Sequence, residues 1–125
     1  MLVGRESEFA RLTEVVENAR AARGSALLVR GEPGIGKTAL LAGLAHAASE
    51  VRILRARGLE AESTLAYAGL TELLGPTLEL LPRLPRRRRA ALEAALGLGD
   101  ETAVDPFGAY TATLSLLAEA ADERP

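Results

Sequence analysis

The 125-residue chain contains no cysteine and no tryptophan, and two phenylalanines and two tyrosines supply all its aromatic rings. Without cysteine there is no disulfide and no thiolate metal site, a composition at ease in a reducing cytoplasm. With so few aromatics, aliphatic side chains and alanine must fill the core, and few rings are left to stack on nucleic-acid bases. No apolar run approaches the ~20 residues that cross a bilayer. The start, Met1-Leu2-Val3-Gly4-Arg5-Glu6, meets charge too soon for a signal peptide. These absences lead us to expect a soluble, cytoplasmic protein. A net charge of −2 gives no general attraction for nucleic acid or an anionic membrane, so neither is an expected partner. Hydrophobic residues at 48% and charged residues at 26% belong to a globular chain about one domain long.

Lysine is nearly absent as well. The single one, Lys37, lies inside Gly31-Glu32-Pro33-Gly34-Ile35-Gly36-Lys37-Thr38, whereas every other cationic residue is arginine. This stretch satisfies the phosphate-binding pattern G-x-x-x-x-G-K-[ST] at each fixed position. The chemistry explains the pattern. Glycines let the backbone wrap a polyphosphate and turn successive N–H groups toward it. A helix starting near Gly36 adds the positive end of its dipole. Lys37 is expected to reach the β- and γ-phosphates, and Thr38 to offer its hydroxyl to Mg²⁺. Pro33 has no N–H, so the cradle is expected from Gly34 through Thr38. ATP or ADP with Mg²⁺ is the implied ligand.

The flanking pattern predicts strand, loop, helix. Ala26-Leu27-Leu28-Val29 is an unbroken apolar run of the kind that forms a buried parallel strand. Leu40, Leu41, Leu44, Ala45 and Ala48 mark a helix face after the loop. Val51 to Arg57 reads as a second strand, suited by its arginines to a sheet edge. Before the loop, Phe9, Leu12, Val15, Val16 and Ala19 predict a helix from Glu6 to about Ala22, closed by Gly24. After the second strand only helices are expected. One carries Leu65, Leu70, Leu73 and Leu74, is interrupted at Gly75-Pro76, and continues briefly from Leu78 to Leu81. Another runs from Arg86 to Leu96 and stops at Gly97. The last has Asp105 as cap and Pro106 in first position, with Phe107, Tyr110, Leu114, Leu117, Ala118 and Ala121 as its buried stripe. The expected fold class is therefore α/β, a partial P-loop NTPase. A leading motif and helix would occupy residues 1–24, strand–loop–helix–strand 25–58 and a helical segment 59–125.

Hydrolysis needs more than the loop. It also needs an acidic residue at the end of a second core strand and a group that positions water, and no apolar strand here ends in Asp or Glu. Asp100 falls in a loop, Asp105 reads as a helix cap, and Glu60 with Glu62 reads as a solvated loop pair, so no catalytic residue is assigned. His46 stands alone on the loop helix and reads as a surface residue. Arg86-Arg87-Arg88-Arg89 is the one dense basic cluster, read as a solvated run because no aromatic accompanies it.

Leu2-Val3-Gly4-Arg5-Glu6, a helix, a short strand and the Gly31–Thr38 loop together resemble the start of the ATPase module in large bacterial LuxR-type regulators. These belong to the STAND class of signal-transduction ATPases, which are related to AAA ATPases. Tyr67-Ala68-Gly69-Leu70 and Leu116-Leu117-Ala118-Glu119 are similar too, so the resemblance extends over essentially the whole chain. It implies an ATP-dependent switch in a transcriptional regulator, with Val3 and Arg5 lining the adenine site. Its partners would be downstream domains of a longer chain or further copies of itself. In that family a hydrophobic strand ending in paired acids comes next, and this sequence ends at Glu123-Arg124-Pro125 just before it. The expectation is an amino-terminal part that binds nucleotide with little or no hydrolysis. A small P-loop kinase and a non-enzymatic interaction fragment with a disused loop are the rival expectations.

Overall fold

The computed structural model describes residues 5–32, 34, 36–58, 67–99 and 103–125. Five α-helices and one 3₁₀ helix follow one another: α1 (Glu6–Arg20), α2 (Lys37–Ala47), α3 (Ala68–Leu74), the 3₁₀ helix (Gly75–Arg83), α4 (Arg86–Leu96) and α5 (Pro106–Glu123). They fall into two compact units, Met1–Ile53 with Arg124–Pro125, and Leu54–Glu123.

The α/β expectation is corrected here: the described residues contain no strand. Both Ala26–Val29 and Val51–Arg57 follow irregular paths. A strand is made by its neighbour, because its N–H and C=O groups need a ladder partner. No backbone hydrogen bond joins residues 26–29 to another described segment, and Leu28 is 78% exposed. The apolar run is real, but alone it cannot make a sheet.

In the first unit, α1 begins with Glu6 and Glu8 in its first turn and ends with Arg20, each charge matched to the near pole of the helix dipole. Arg20 pairs with Glu17 one turn earlier and with Glu50 beyond α2. The helix turns off at Ala22 (φ 59°), not at Gly24. There Arg23 N–H donates to Asn18 O at 2.8 Å and Ala22 N–H to Ala19 O at 3.0 Å, the bond pair of a Schellman ending. Among the described residues of this unit, Leu12 of α1, Leu40 of α2 and Ala48 just after α2 are the buried apolar ones.

The second unit holds the larger core. Leu74, Leu80, Leu81, Leu84, Leu92, Leu96, Ala112, Leu116 and Ala120 form one buried cluster. Gly75-Pro76 does interrupt the helix after Leu74, and the chain tightens into 3₁₀ geometry. Thr77, wholly buried, donates its hydroxyl to Leu74 O at 2.7 Å, which satisfies that hydroxyl away from water. As expected, α4 stops at Gly97, whose φ of 72° is left-handed.

The face of α5 differs from the expected one. Ala109, Ala112, Leu116 and Ala120 are buried, whereas Phe107, Tyr110 and Leu114 are exposed. Small residues let the helices approach closely: a Cβ added at Gly108 would lie 3.2 Å from the Ala91 Cβ on α4. Larger side chains on that face would push α4 and α5 apart.

Candidate functional site: the glycine loop and its cavity

The site lies in the first unit. The loop Gly31–Thr38 leads straight into α2, whose N-cap is Gly36 with φ 95°. Gly34 has φ 88°, so the loop turns twice through a region that a side chain disfavours. Leu40 N–H donates to Gly36 O at 2.9 Å and opens the helical ladder there. The amides of the first turn therefore point back over the loop, with no acidic side chain in that turn to oppose an anion.

Lys37 folds back across the loop. Its ammonium donates to Gly31 O at 2.6 Å and to Glu32 O at 2.8 Å. Two of its three donors thus hold the loop's own carbonyls, and both bonds lie at the surface, where they exchange easily for an anionic acceptor. Thr38 follows, exposed, at the second position of α2. Pro33 and Ile35 lie outside the described residues, as does Val3.

A cavity of about 210 Å³ adjoins Lys37. From α1 and its N-cap it takes Arg5, Glu8, Arg11 and Leu12; from the irregular run, Leu27, Leu28, Val29 and Arg30; from α2, Lys37 and Leu40. The apolar part of this lining suits a flat ring. Four cations against one carboxylate give the remainder a positive potential. Whole small-molecule ligands commonly occupy roughly 300–1,000 Å³, so this space suits one portion of a ligand. The motif singles out Lys37 and the resemblance Arg5. Glu8, Arg11, Arg30 and the leucines were missed, since only folding brings α1 beside residues 27–30 and no spacing encodes that.

The other candidates stand apart from this chemistry. Glu60, Glu62 and Asp100 lie outside the described residues, and among the described residues no three acidic or histidine side chains cluster for a metal. His46 is exposed in the last turn of α2. Arg86–Arg89 form the exposed first turn of α4, where Arg88 bonds Ser115 Oγ at 2.8 Å and Arg89 bonds Glu93 at 3.1 Å. The second unit has a wider cavity of about 540 Å³, lined by Tyr67, Leu70, Tyr110, Thr113 and Leu114. Among the described residues its lining carries no charged side chain and offers nothing to a phosphate.

A glycine loop closed by a lysine at the head of a helix defines the class of phosphate-loop nucleotide-binding proteins. A protein-family model described as AAA ATPase domain matches residues 1–125, and the chain belongs to that family. No curated protein and no solved structure matches it. The residues fit the nucleotide this family implies: two left-handed glycines, an amide-bearing helix start, an ammonium within reach and a hydroxyl beside it. Among the described residues, no helix is long and apolar enough to cross a membrane.

Proposed function

We propose that this chain is the ATP-binding module of a STAND-type signal-transduction ATPase, the switch of a LuxR-type transcriptional regulator in the cytoplasm. Membership of the AAA ATPase domain family supports ATP as ligand, and the motif resemblance supports the regulator. One observation carries the binding step: Lys37 bridges Gly31 O and Glu32 O at the head of α2. In this scheme the ammonium leaves those carbonyls for the β- and γ-phosphates, while the amides from Gly34 through Thr38 meet the phosphate oxygens. Mg²⁺, which takes oxygen ligands, would be held by the Thr38 hydroxyl and would neutralise part of the phosphate charge. Glu32, Pro33 and Ile35 complete the loop, with Val3 beside the base. Binding, with little or no hydrolysis, is the task assigned to residues 1–125. The nucleotide state would be read by downstream domains or by further copies of the chain.

Titration of Mg-ATP into the wild-type chain and into Lys37→Ala tests this. We expect at least a tenfold loss of affinity, about 1.4 kcal/mol or more. Equal affinity in the two proteins would remove the loop from the binding site.

A further inference from the structure

Two cations of the cavity wall are not engaged by the loop. Arg11 stands on α1 and Arg30 comes just before Gly31; both are exposed, and both line the cavity together with Lys37. The other charges of the lining already have partners. Lys37 holds the carbonyls of Gly31 and Glu32, and Arg5 faces Glu8, the single carboxylate of the lining, at 3.8 Å. Arg11 and Arg30 form no ion pair or side-chain hydrogen bond with another described residue. Leu12, Leu27, Val29 and Leu40 supply apolar walls beside them. A cleft lined by one sign of charge, with apolar walls, focuses its field toward the opening. The whole chain has a net charge of −2, so attraction for an anion has to come from a local field of this kind.

Resting on the nucleotide reading above, we propose that Arg11 and Arg30 are capture residues, which draw the polyphosphate of a nucleoside triphosphate toward the loop and speed its association. Their exposure decides how they act. An exposed charge at the rim attracts the ligand before contact, so it sets the association rate and its salt dependence. The hold on bound phosphate, and with it the dissociation rate, belongs to Lys37 and the loop amides. Capture needs charge alone, so lysine serves as well as arginine. A two-pronged contact with phosphate oxygens would instead need the planar guanidinium fork.

Stopped-flow mixing with Mg-ATP that carries a fluorescent ribose label reads association and dissociation separately. Wild type, Arg11→Gln, Arg30→Gln, the double variant, Arg11→Lys and Arg30→Lys are compared at low and high salt, with melting curves confirming that each folds. At an ionic strength of about 0.01 M, where charges act over about 30 Å, each glutamine variant should associate about threefold more slowly, and the double variant about tenfold. At about 1 M salt these differences should vanish, because screening confines each charge to about 3 Å. Dissociation from all five arginine variants should match wild type, and the two lysine variants should associate at the wild-type rate. One arm needs no substitution: the wild-type association rate should fall steeply as salt rises, and a rate indifferent to salt would overturn the proposal. Faster dissociation from the glutamine variants with association unchanged would make these arginines direct contacts and overturn it as well. So would lysine variants as slow as the glutamine ones, or glutamine variants with both rates equal to wild type. Wild type and Lys37→Ala binding Mg-ATP equally would overturn the nucleotide site and this inference together. Weaker binding by Lys37→Ala, with the glutamine variants indistinguishable from wild type, would overturn this inference alone.

Discussion

Leu114 and Leu116 sit two positions apart on α5, yet one is 68% exposed and the other fully buried. Replacing either with alanine makes the same change in helix propensity, so the pair isolates burial. Leu116→Ala removes a side chain from the cluster of leucines and alanines and should cost about 2–5 kcal/mol. Leu114→Ala should stay within about 0.5 kcal/mol of wild type. Denaturant unfolding of both variants decides the matter, and equal losses would mean that α5 buries the face read from periodicity. That face, Phe107, Tyr110, Leu114, Leu117, Ala118 and Ala121, obeys helical spacing as well as Ala109-Ala112-Leu116-Ala120 does, and of its members Leu117 does pack, half-buried, against the cluster. A helix apolar around most of its circumference has two admissible stripes. Size pointed to the larger side chains, whereas close packing against α4 selected the smaller ones.

Two helix endings offer matched tests in opposite directions. Ala22 holds a left-handed φ of 59° after α1, a conformation that costs a side-chain-bearing residue about 1–2 kcal/mol. Glycine there relieves that cost but gives back about 0.4–1 kcal/mol through the greater freedom of the unfolded chain. Ala22→Gly should therefore stabilise by about 0.5–1 kcal/mol. Gly97 (φ 72°) already has the residue that its ending after α4 requires, and Gly97→Ala should lose a similar amount. Thermal melts of the two variants, moving apart from wild type by a few degrees each, are the expected result. Both variants moving the same way would contradict these endings. The same contrast explains what was legible in the chain. Gly97, Pro106 and the Gly75-Pro76 break act on their own few residues, so α4, α5 and the interruption after Leu74 could be read from sequence, whereas the 3₁₀ geometry beyond it was not. Ala26–Val29 and Val51–Arg57 carry strand-like composition, but a ladder needs a second segment in register and composition cannot supply it. Within the candidate site the division is alike. The glycine loop is a local pattern, whereas the cavity needs α1 folded against residues 27–30.

At the scale of the whole molecule, stability and the candidate site fall in different units. Leu54–Glu123 encloses the nine-residue apolar cluster, whereas Met1–Ile53 with Arg124–Pro125, which carries the loop, buries Leu12, Leu40 and Ala48. A region with few buried apolar contacts opens at low free energy, and ligand binding raises that free energy by mass action. At a nucleotide concentration 100 times the dissociation constant the gain is about 2.7 kcal/mol, or about two decades in exchange rate for amides released by that opening. Hydrogen exchange with and without Mg-ATP should therefore show slowing in α1, in the loop and in α2, approaching a hundredfold. Amides of α4 and of α5 should exchange as before. Residues 26–29, which make no backbone hydrogen bond to another described segment, should exchange fastest in the free protein. The Lys37→Ala variant, its affinity at least tenfold lower, should show at least about tenfold less slowing at the same nucleotide concentration. Slowing confined to α4 and α5 would put the nucleotide on the second unit, whose cavity has no cation among its described lining residues.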